Sequence, residues 1–429
     1  SEMCIRDSSR AGEAVLVFNG EIYNQRQLRH ELQHLGHSFQ SHCDTEVLLQ
    51  GFLAWGETLW QRLNGIFAAA IWEPKQQRLT LARDGFGVKP LLWRAEQDRC
   101  CFGSELNAFE ASSMVSREAL NPRAFSSYCY WGAVAGPETL LAGISMFPAG
   151  HWGQWSPGQA WTIKRFISDD QPIRPIPTNL EDATQAVEES LTQALARQMV
   201  GDVPVGLFLS GGLDSGILAA LLREQEQSNL IHSVSVGFDN LAGAIDESDL
   251  AESTARTLGL SHCTLRVSAR DLDSCFDDFL NAIDQPSIDG FNTYFVARTA
   301  AQQNMRVAFS GLGADELFGG YRHMGRLPIT QLLKVRRIHG HGLARHEQNN
   351  LRTQRLERVP DLDWDTRRSD PVPLNLSSRL ELSGYLQDTL LRDSDAVTMH
   401  QGLELRVPFL DPDLLSLIHI SEPTRRYAI

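Results

Sequence analysis

The stretch VGLFLSGGLDS, residues 205–215, constrains this chain more than any other. An apolar run from Val205 to Leu209 reads as a buried strand, Ser210-Gly211-Gly212 turns the chain, and residues 216–223 read as the start of a helix. Two residues without Cβ let backbone N–H groups close on an anion, and the helix N-terminus adds a positive dipole end. Together they form a phosphate cradle. No Gly-Lys-Ser/Thr follows, so no lysine reaches a β- or γ-phosphate. The loop ends instead in Leu213-Asp214-Ser215, which sets a carboxylate where a metal ion could bridge it to the phosphates.

The surroundings predict the sheet that such a loop requires. Asn179 is placed to cap a helix over residues 181–199, whose apolar face carries Val187, Leu191, Leu195 and Met199. Beyond the loop, strands over 232–238, 263–267 and 306–309 alternate with helices over 247–258 and 293–303. This rhythm predicts an α/β domain with a doubly wound parallel sheet, in which ligands sit at the carboxyl ends of strands beside a topological switch point. A second glycine-acid loop, SGLGADELFGGY (310–321), also ends a strand, so both loops should face one crevice. Asp214 and Asp315 together would hold Mg²⁺ against a pyrophosphate. The bland alternative, a glycine turn with a capping aspartate, does not account for the second loop.

The region before residue 155 has a different texture. Residues 14–18, 65–72, 78–82 and 101–103 read as strands. Residues 25–35 carry Leu28, Leu32 and Leu35 on one helical face, and Asp44 is placed to cap a helix from Thr45. Strands with few helices predict an α+β layered domain over 10–155. Residues 156–178 read as a linker, because SDDQPIRPIPT (168–178) carries three prolines.

With 429 residues the chain can build two or three cores, and its net charge of −14 opposes non-specific binding to nucleic acid. No apolar run approaches the roughly 18 residues of a membrane span. Seven scattered cysteines without a CxxC pair suggest neither zinc nor a disulfide framework, and fit a reducing cytoplasm. The ends, SEMCIRDS and LSLIHISEPTR, match no pattern beside them and read as translated adapter sequence from DNA library preparation. Residues 1–9 and 415–429 are therefore expected to be foreign, Cys4 among them, and the natural protein is expected to be longer at both ends.

Five motifs then carry a resemblance: FNGEIYN (18–24), CDTEV (43–47), LNGIFAAAIWE (63–73), ARDGFGVKPL (82–91) and GSEL (103–106). In order and spacing they resemble the glutaminase domain of class II amidotransferases, an Ntn-type fold, as found in glutamine-hydrolysing asparagine synthetases. The resemblance implies that the Asn19 side chain and the Gly20 N–H form an oxyanion hole, and that Glu21 and Asp44 hold the glutamine α-ammonium. The bland readings are an Asn-Gly hairpin turn and a helix cap. The family nucleophile is an N-terminal cysteine whose own α-amine is the base. That residue is absent here, as is the early arginine motif for the glutamine carboxylate. The chain as written is expected not to hydrolyse glutamine, although the natural protein would.

SGGLDS, Ile245-Asp246-Glu247-Ser248, SGLGADELFGGY and GLELRVPFLD (402–411) resemble the ATP-pyrophosphatase synthetase domain of the same family, placed at 179–414. The resemblance implies that a carboxylate attacks the ATP α-phosphate to give an acyl-adenylate and pyrophosphate, and that ammonia then displaces AMP. Leu209, Val236 and Phe238 would line the adenine and ribose pocket. Ser210, Gly211, Gly212, Asp214 and Ser215 would bind pyrophosphate and its metal, and Ser310 and Gly311 would sit where nucleotide meets acceptor. The implied partners are ATP, Mg²⁺, glutamine and a carboxylate, with aspartate favoured. No nucleic acid or membrane is implied, and a homodimer is left open. Two departures bear on the acceptor: Leu312 stands where a glutamate is familiar, and Ala396 where a Lys or Arg often faces pyrophosphate, with Arg392 one turn earlier as a substitute. They leave room for a related enzyme acting on another metabolite, a cell-envelope precursor or a peptide, or for an idle nucleotide-binding protein.

Overall fold

The computed structural model describes residues 4–8, 12–112, 119–167, 179–199, 205–225, 231–239, 246–335, 343–359 and 372–418. The chain forms two compact units, residues 1–122 with 136–172, and residues 123–135 with 173–429.

The first unit holds strands β1 (Cys4–Ser8), β2 (Val15–Ile22), β3 (Gly65–Glu73), β4 (Arg78–Arg83), β5 (Leu92–Ala95), β6 (Cys100–Gly103), β7 (Ser145–Met146), β8 (His151–Trp155) and β9 (Thr162–Arg165). An antiparallel sheet runs β1-β2-β3-β4-β8-β9, and a smaller one runs β6-β5-β7. Helices α1 (Gln25–His34), α2 (Asp44–Trp55) and α3 (Leu106–Ala111) accompany them. β3 is apolar almost throughout because both its faces are covered. Phe67, Ala69 and Ile71 share a core with Leu28 and Leu32 of α1 and Val47, Leu48 and Phe52 of α2. Ala68 and Ala70 face the other way and pack with Leu79, Leu81, Trp93 and Phe102. The expected α+β layering is therefore a helix pair, a six-stranded sheet and a three-stranded sheet.

Three details differ from the sequence reading. Asn19-Gly20 is no hairpin turn: it lies inside β2, with Asn19 opposite Ala68 and Gly20 opposite Phe67. Residues 156–167, read as linker, contain β9, which pairs with β8, and Phe166 N–H donates to the Gly150 carbonyl at 3.0 Å; residues 168–178 lie outside the described residues. Residues 123–135, read as part of the first domain, cluster with the second unit. Their helix α4 (Pro122–Trp131) buries Tyr130 and Trp131 in a helical core with Leu332, Leu351 and Leu376. Burial of two aromatics outweighs chain order there. Residues 4–8, expected to be foreign, form the edge strand against β2.

The second unit adds α5 (Leu180–Gln198), β10 (Val205–Phe208), α6 (Leu213–Glu224), β11 (Ile231–Phe238), α7 (Ser248–Leu258), β12 (Ser261–Val267), α8 (Ala269–Ala282), α9 (Phe291–Gln302) and β13 (Val307–Phe309). It continues with α10 (Ala314–Phe318), α11 (Ile329–Val335), α12 (Arg345–Glu357), α13 (Leu374–Glu381), a π-helical segment (Leu382–Leu391), α14 (Arg392–His400), β14 (Glu404–Arg406) and α15 (Pro412–Ile418). The sheet order is β12-β11-β10-β13-β14, and every pairing is parallel. β10, first in sequence, is central. The chain winds outward from it to β11 and β12, then returns to place β13 on its other side, so the switch point lies between β10 and β13. Both faces are covered: Val236 packs with Phe279, Tyr294 and Phe295, while a Cβ on its neighbour Gly237 would meet Ser248 of α7.

The π-helical segment spans 10 residues, unusual for a geometry that seldom exceeds one turn. The Arg355 guanidinium lies on Gly384 within it, leaving no room for a side chain there, and pairs with buried Asp388. Among the described residues no helix is long and apolar enough to cross a membrane.

Candidate nucleotide and glutamine sites

In the second unit the turn between β10 and α6 is only Leu209–Gly212, because α6 begins at Leu213 rather than 216. Leu209 is buried, and its N–H donates to the Val234 carbonyl at 2.9 Å. Ser210 N–H donates to Ser215 Oγ at 3.0 Å, the two hydroxyls pair at 3.0 Å, and Gly212 N–H donates to Ser210 Oγ at 3.1 Å. These bonds fold the loop onto the first turn of α6, which has no side-chain cap, so its leading N–H groups suit an anion. A Cβ on Gly211 would stand 3.0 Å from Glu247 Cβ and 3.1 Å from Leu250 Cβ. α7 therefore comes as close as a glycine permits.

The second loop starts at buried Ser310, whose N–H donates to the Arg406 carbonyl at 3.0 Å across from β14. Gly313, at φ +94°, leads into α10; a Cβ there would lie 2.4 Å from Leu410 Cδ2. A Cβ on Gly311 would be 3.2 Å from both Asp214 Cβ and Ser215 N. Ser210, Gly211, Gly212, Asp214, Ser215, Ser310 and Gly311 are thus gathered at the switch point. Burial, with repulsion from Asp315, pushes the half-buried Asp214 carboxyl up to about 6. Two carboxylates that resist sharing charge suit a divalent cation. No group of three metal-ligating side chains occurs among the described residues, so phosphate oxygens and water would complete its shell.

Val236 and Phe238 lie past the Phe208–Val234 register pair, at the carboxyl end of β11, and pack half-buried against the Val267–Phe279 core. Ile245 lies outside the described residues; Asp246 accepts from Ser248 N–H at 2.9 Å and pairs with Arg266 at 2.6 Å. Leu312 is half-buried, and its N–H donates to Ser310 Oγ at 3.4 Å. Ala396 lies half-buried in α14. Arg392 does not fill the substitute's role: its guanidinium is buried, bonded to Asp393 and, at 3.0 Å, to the Val134 carbonyl. Sequence reasoning missed Glu316, 1 % exposed beside Asp315. Burial, against a 2.6 Å bond from the Tyr321 hydroxyl, pushes it up to about 7. The signal was available in an acid followed directly by Leu317-Phe318.

In the first unit, Asn19 is buried and its Nδ2 donates to Ser104 Oγ, of the GSEL motif, at 3.3 Å. Gly20 has φ +141°, and a Cβ there would lie 2.0 Å from the Ile66 carbonyl oxygen. Asp44 does not cap its helix. It is the first residue of α2, and its Oδ2 accepts from Ile22 N–H at 2.9 Å. That bond ties α2 to the end of β2 and so sets Asp44 beside the Asn19-Gly20-Glu21 run, where Glu21 is half-buried. Below this run, Asp84 of ARDGFGVKPL accepts from the N–H groups of Phe67, Phe86, Val88 and Lys89. In register, Cys4 of β1 lies opposite Asn19.

Residues 186–421 match the family model described as asparagine synthase, and residues 7–167 the one described as glutamine amidotransferase domain. The chain is 31% identical to the putative glutamine-hydrolysing asparagine synthetase of Mycobacterium tuberculosis, over 97% of this chain and 71% of that protein. It is 30% identical to glutamine-hydrolysing asparagine synthetase 1 of Bacillus subtilis, over 92% of this chain and 68% of that protein. A protein named amidase chyE from Penicillium rubens is 28% identical over 71% of this chain and 47% of its own length.

Proposed function

Because the chain belongs to the glutamine-hydrolysing asparagine synthetase family, we propose that its glutamine-dependent amide synthesis runs through an acyl-adenylate, with aspartate as the acceptor. The observation that carries this reading is the packing of Gly311 against Asp214 and Ser215, which sets two glycine-acid loops at one switch point.

In this mechanism the N–H groups of Gly211 and Gly212, the Ser210 and Ser215 hydroxyls and the α6 N-terminus bind the β- and γ-phosphates. Asp214 and Asp315 would hold Mg²⁺, which supplies neutralisation of the departing pyrophosphate charge. Leu209, Val236 and Phe238 border the base and ribose. An acceptor carboxylate oxygen near Ser310 and Gly311 attacks the α-phosphorus; the bond to the bridging oxygen breaks and pyrophosphate leaves. Ammonia then attacks the acyl carbon and AMP leaves. In the first unit, Asn19 and Gly20 would stabilise the oxyanion and Glu21 and Asp44 would hold the α-ammonium of glutamine, the attack itself needing the N-terminal cysteine that this chain lacks; with the chain as written, ammonia is the nitrogen donor. The reaction belongs to the cytoplasm, where ATP and glutamine are available.

The test measures AMP, pyrophosphate and asparagine formed from aspartate, ATP, Mg²⁺ and either glutamine or ammonia. AMP without asparagine would remove aspartate as acceptor and leave adenylation standing. No AMP with any carboxylate would remove adenylation and favour an idle nucleotide-binding protein. A second reading, amide formation on another carboxylate, is favoured by Leu312, which offers no group to take a proton beside Ser310.

A further inference from the structure

Among the buried carboxyls outside both sites, Asp393 keeps an oxygen with no hydrogen-bond partner. Asp393, at the start of α14, is 2 % exposed. Its Oδ1 accepts from Arg392 Nε at 3.3 Å and Nη2 at 3.2 Å, while its Oδ2 has no hydrogen-bond partner. The side chain faces the DQPSIDG loop (284–290): a Cβ on Gly290 would lie 3.2 Å from Asp393 Cβ and 3.7 Å from its Cγ. The Ser287 hydroxyl faces the carboxyl and favours its ionised form, without reaching Oδ2 at hydrogen-bond distance. Burial pushes this carboxyl up to about 6, so it is mostly ionised above pH 7.

The second carboxylate of the group is Asp289, half-buried on that loop. Its Oδ2 accepts from the Tyr385 hydroxyl at 2.9 Å and its Oδ1 from Gly290 N–H at 2.8 Å. Tyr385 belongs to the π-helical segment, and its ring centroid lies 6.4 Å from that of Tyr321, which closes the second glycine-acid loop. Two packed rings therefore link the group to the end of the second glycine-acid loop, where the Tyr321 hydroxyl bonds Glu316. One guanidinium meets the Asp393 charge and also serves the Val134 carbonyl, while Asp289 adds a second negative charge nearby. A buried, charged oxygen without a donor is costly, and an incoming N–H donor carrying positive charge would relieve both deficits.

We propose that Asp393, supported by Asp289, recognises an ammonium group on the acceptor and restricts it to amino-bearing carboxylates. This rests on the reading that the second unit adenylates a carboxylate. The experiment measures carboxylate-dependent pyrophosphate exchange into ATP by the full chain, using aspartate against succinate and glutamate against glutarate. A parallel measurement records the shift in melting temperature that the same compounds cause with MgATP. The wild type should prefer the amino-bearing member of a pair by about tenfold or more in KM. Asp393→Asn should raise the KM of that member by about tenfold, leave its partner within about twofold, and abolish the difference in melting shift. Asp289→Asn should act in the same direction and serves if D393N does not fold. Equal effects on both members, or a wild type that does not discriminate, would overturn the role of Asp393 while leaving adenylation intact. No exchange and no shift with any carboxylate would overturn adenylation, and this inference with it.

Discussion

Gly311 and Asp214 pack so closely that a Cβ on the glycine would stand 3.2 Å from the Cβ of the aspartate. The contact holds the carboxylate proposed as a metal ligand at a fixed distance from the loop that ends the neighbouring strand. Gly311→Ala should push the two loops apart by a few tenths of an ångström. Since a small misplacement at a reacting centre costs about a hundredfold, pyrophosphate exchange should fall by roughly that factor. The melting temperature should move little beside that loss, because the displacement is a few tenths of an ångström between two loops. Exchange rates and calorimetry on the same variant check both halves.

Asp214 also makes stability depend on pH. Its carboxyl is raised from 3.8 to about 6 by burial and by Asp315, so the folded state binds the extra proton. Stability from this group is present below the ordinary value and is lost as pH rises through about 6. The ligand-free melting temperature should therefore drop as pH rises from the ordinary value of 3.8 to about 6 and level off above it, and Asp214→Asn should flatten that drop. Adding Mg²⁺ with pyrophosphate should stabilise the wild type most on the alkaline side. A drop unchanged in the variant would contradict the assignment.

Gly20 tests the first unit. A side chain there meets the Ile66 carbonyl at 2.0 Å, at φ +141°, inside a paired strand. Gly20→Ala should cost about 3 kcal/mol or more, by forcing β2 away from β3. Denaturant unfolding followed by tryptophan fluorescence should show an early transition for this unit, since Trp60 and Trp152 lie in the core that β2 helps to close.

Asp388 anchors the π-helical segment. It is buried and pairs with Arg355 at 3.4 Å and with Arg358. Removing one partner of a buried ion pair typically costs about 3–5 kcal/mol, so Asp388→Ala should lower stability by that order. Asp388→Asn, which keeps an acceptor oxygen, should cost less. Urea unfolding of both variants gives the comparison.

Much of this architecture was legible because burial on two faces leaves long apolar runs. β3 and β10 read as strands for that reason, and the loops at 209–212 and 310–313 follow from where their strands end. β14 was hidden. Glu404-Leu405-Arg406 is a three-residue strand with two charges, buried with Arg406 bonded to Glu404 at 2.8 Å and to the Gln198 carbonyl. Nothing local distinguishes it from a surface turn. Asn19-Gly20 is the opposite case, in which the bland hairpin alternative fails. The pair favours hairpins locally, yet its glycine serves here to let β3 approach. Asp44 as a cap failed because its carboxylate goes to Ile22, a partner 22 residues away. Arg392 failed likewise, since its own neighbour Asp393 claims its charge.

The order of strands around β10 also governs how the protein is made. The phosphate loop is complete once β10 and α6 have emerged, but β13 follows roughly a hundred residues later and β14 roughly two hundred. Through that interval a growing chain carries half of the proposed nucleotide site on a sheet whose β10 edge has unpaired N–H and C=O groups. A synthesis pause between α9 and β13 would thus expose a sticky, half-assembled enzyme. The closing of β13 onto β10 ends the aggregation hazard and, in the same step, assembles the catalyst.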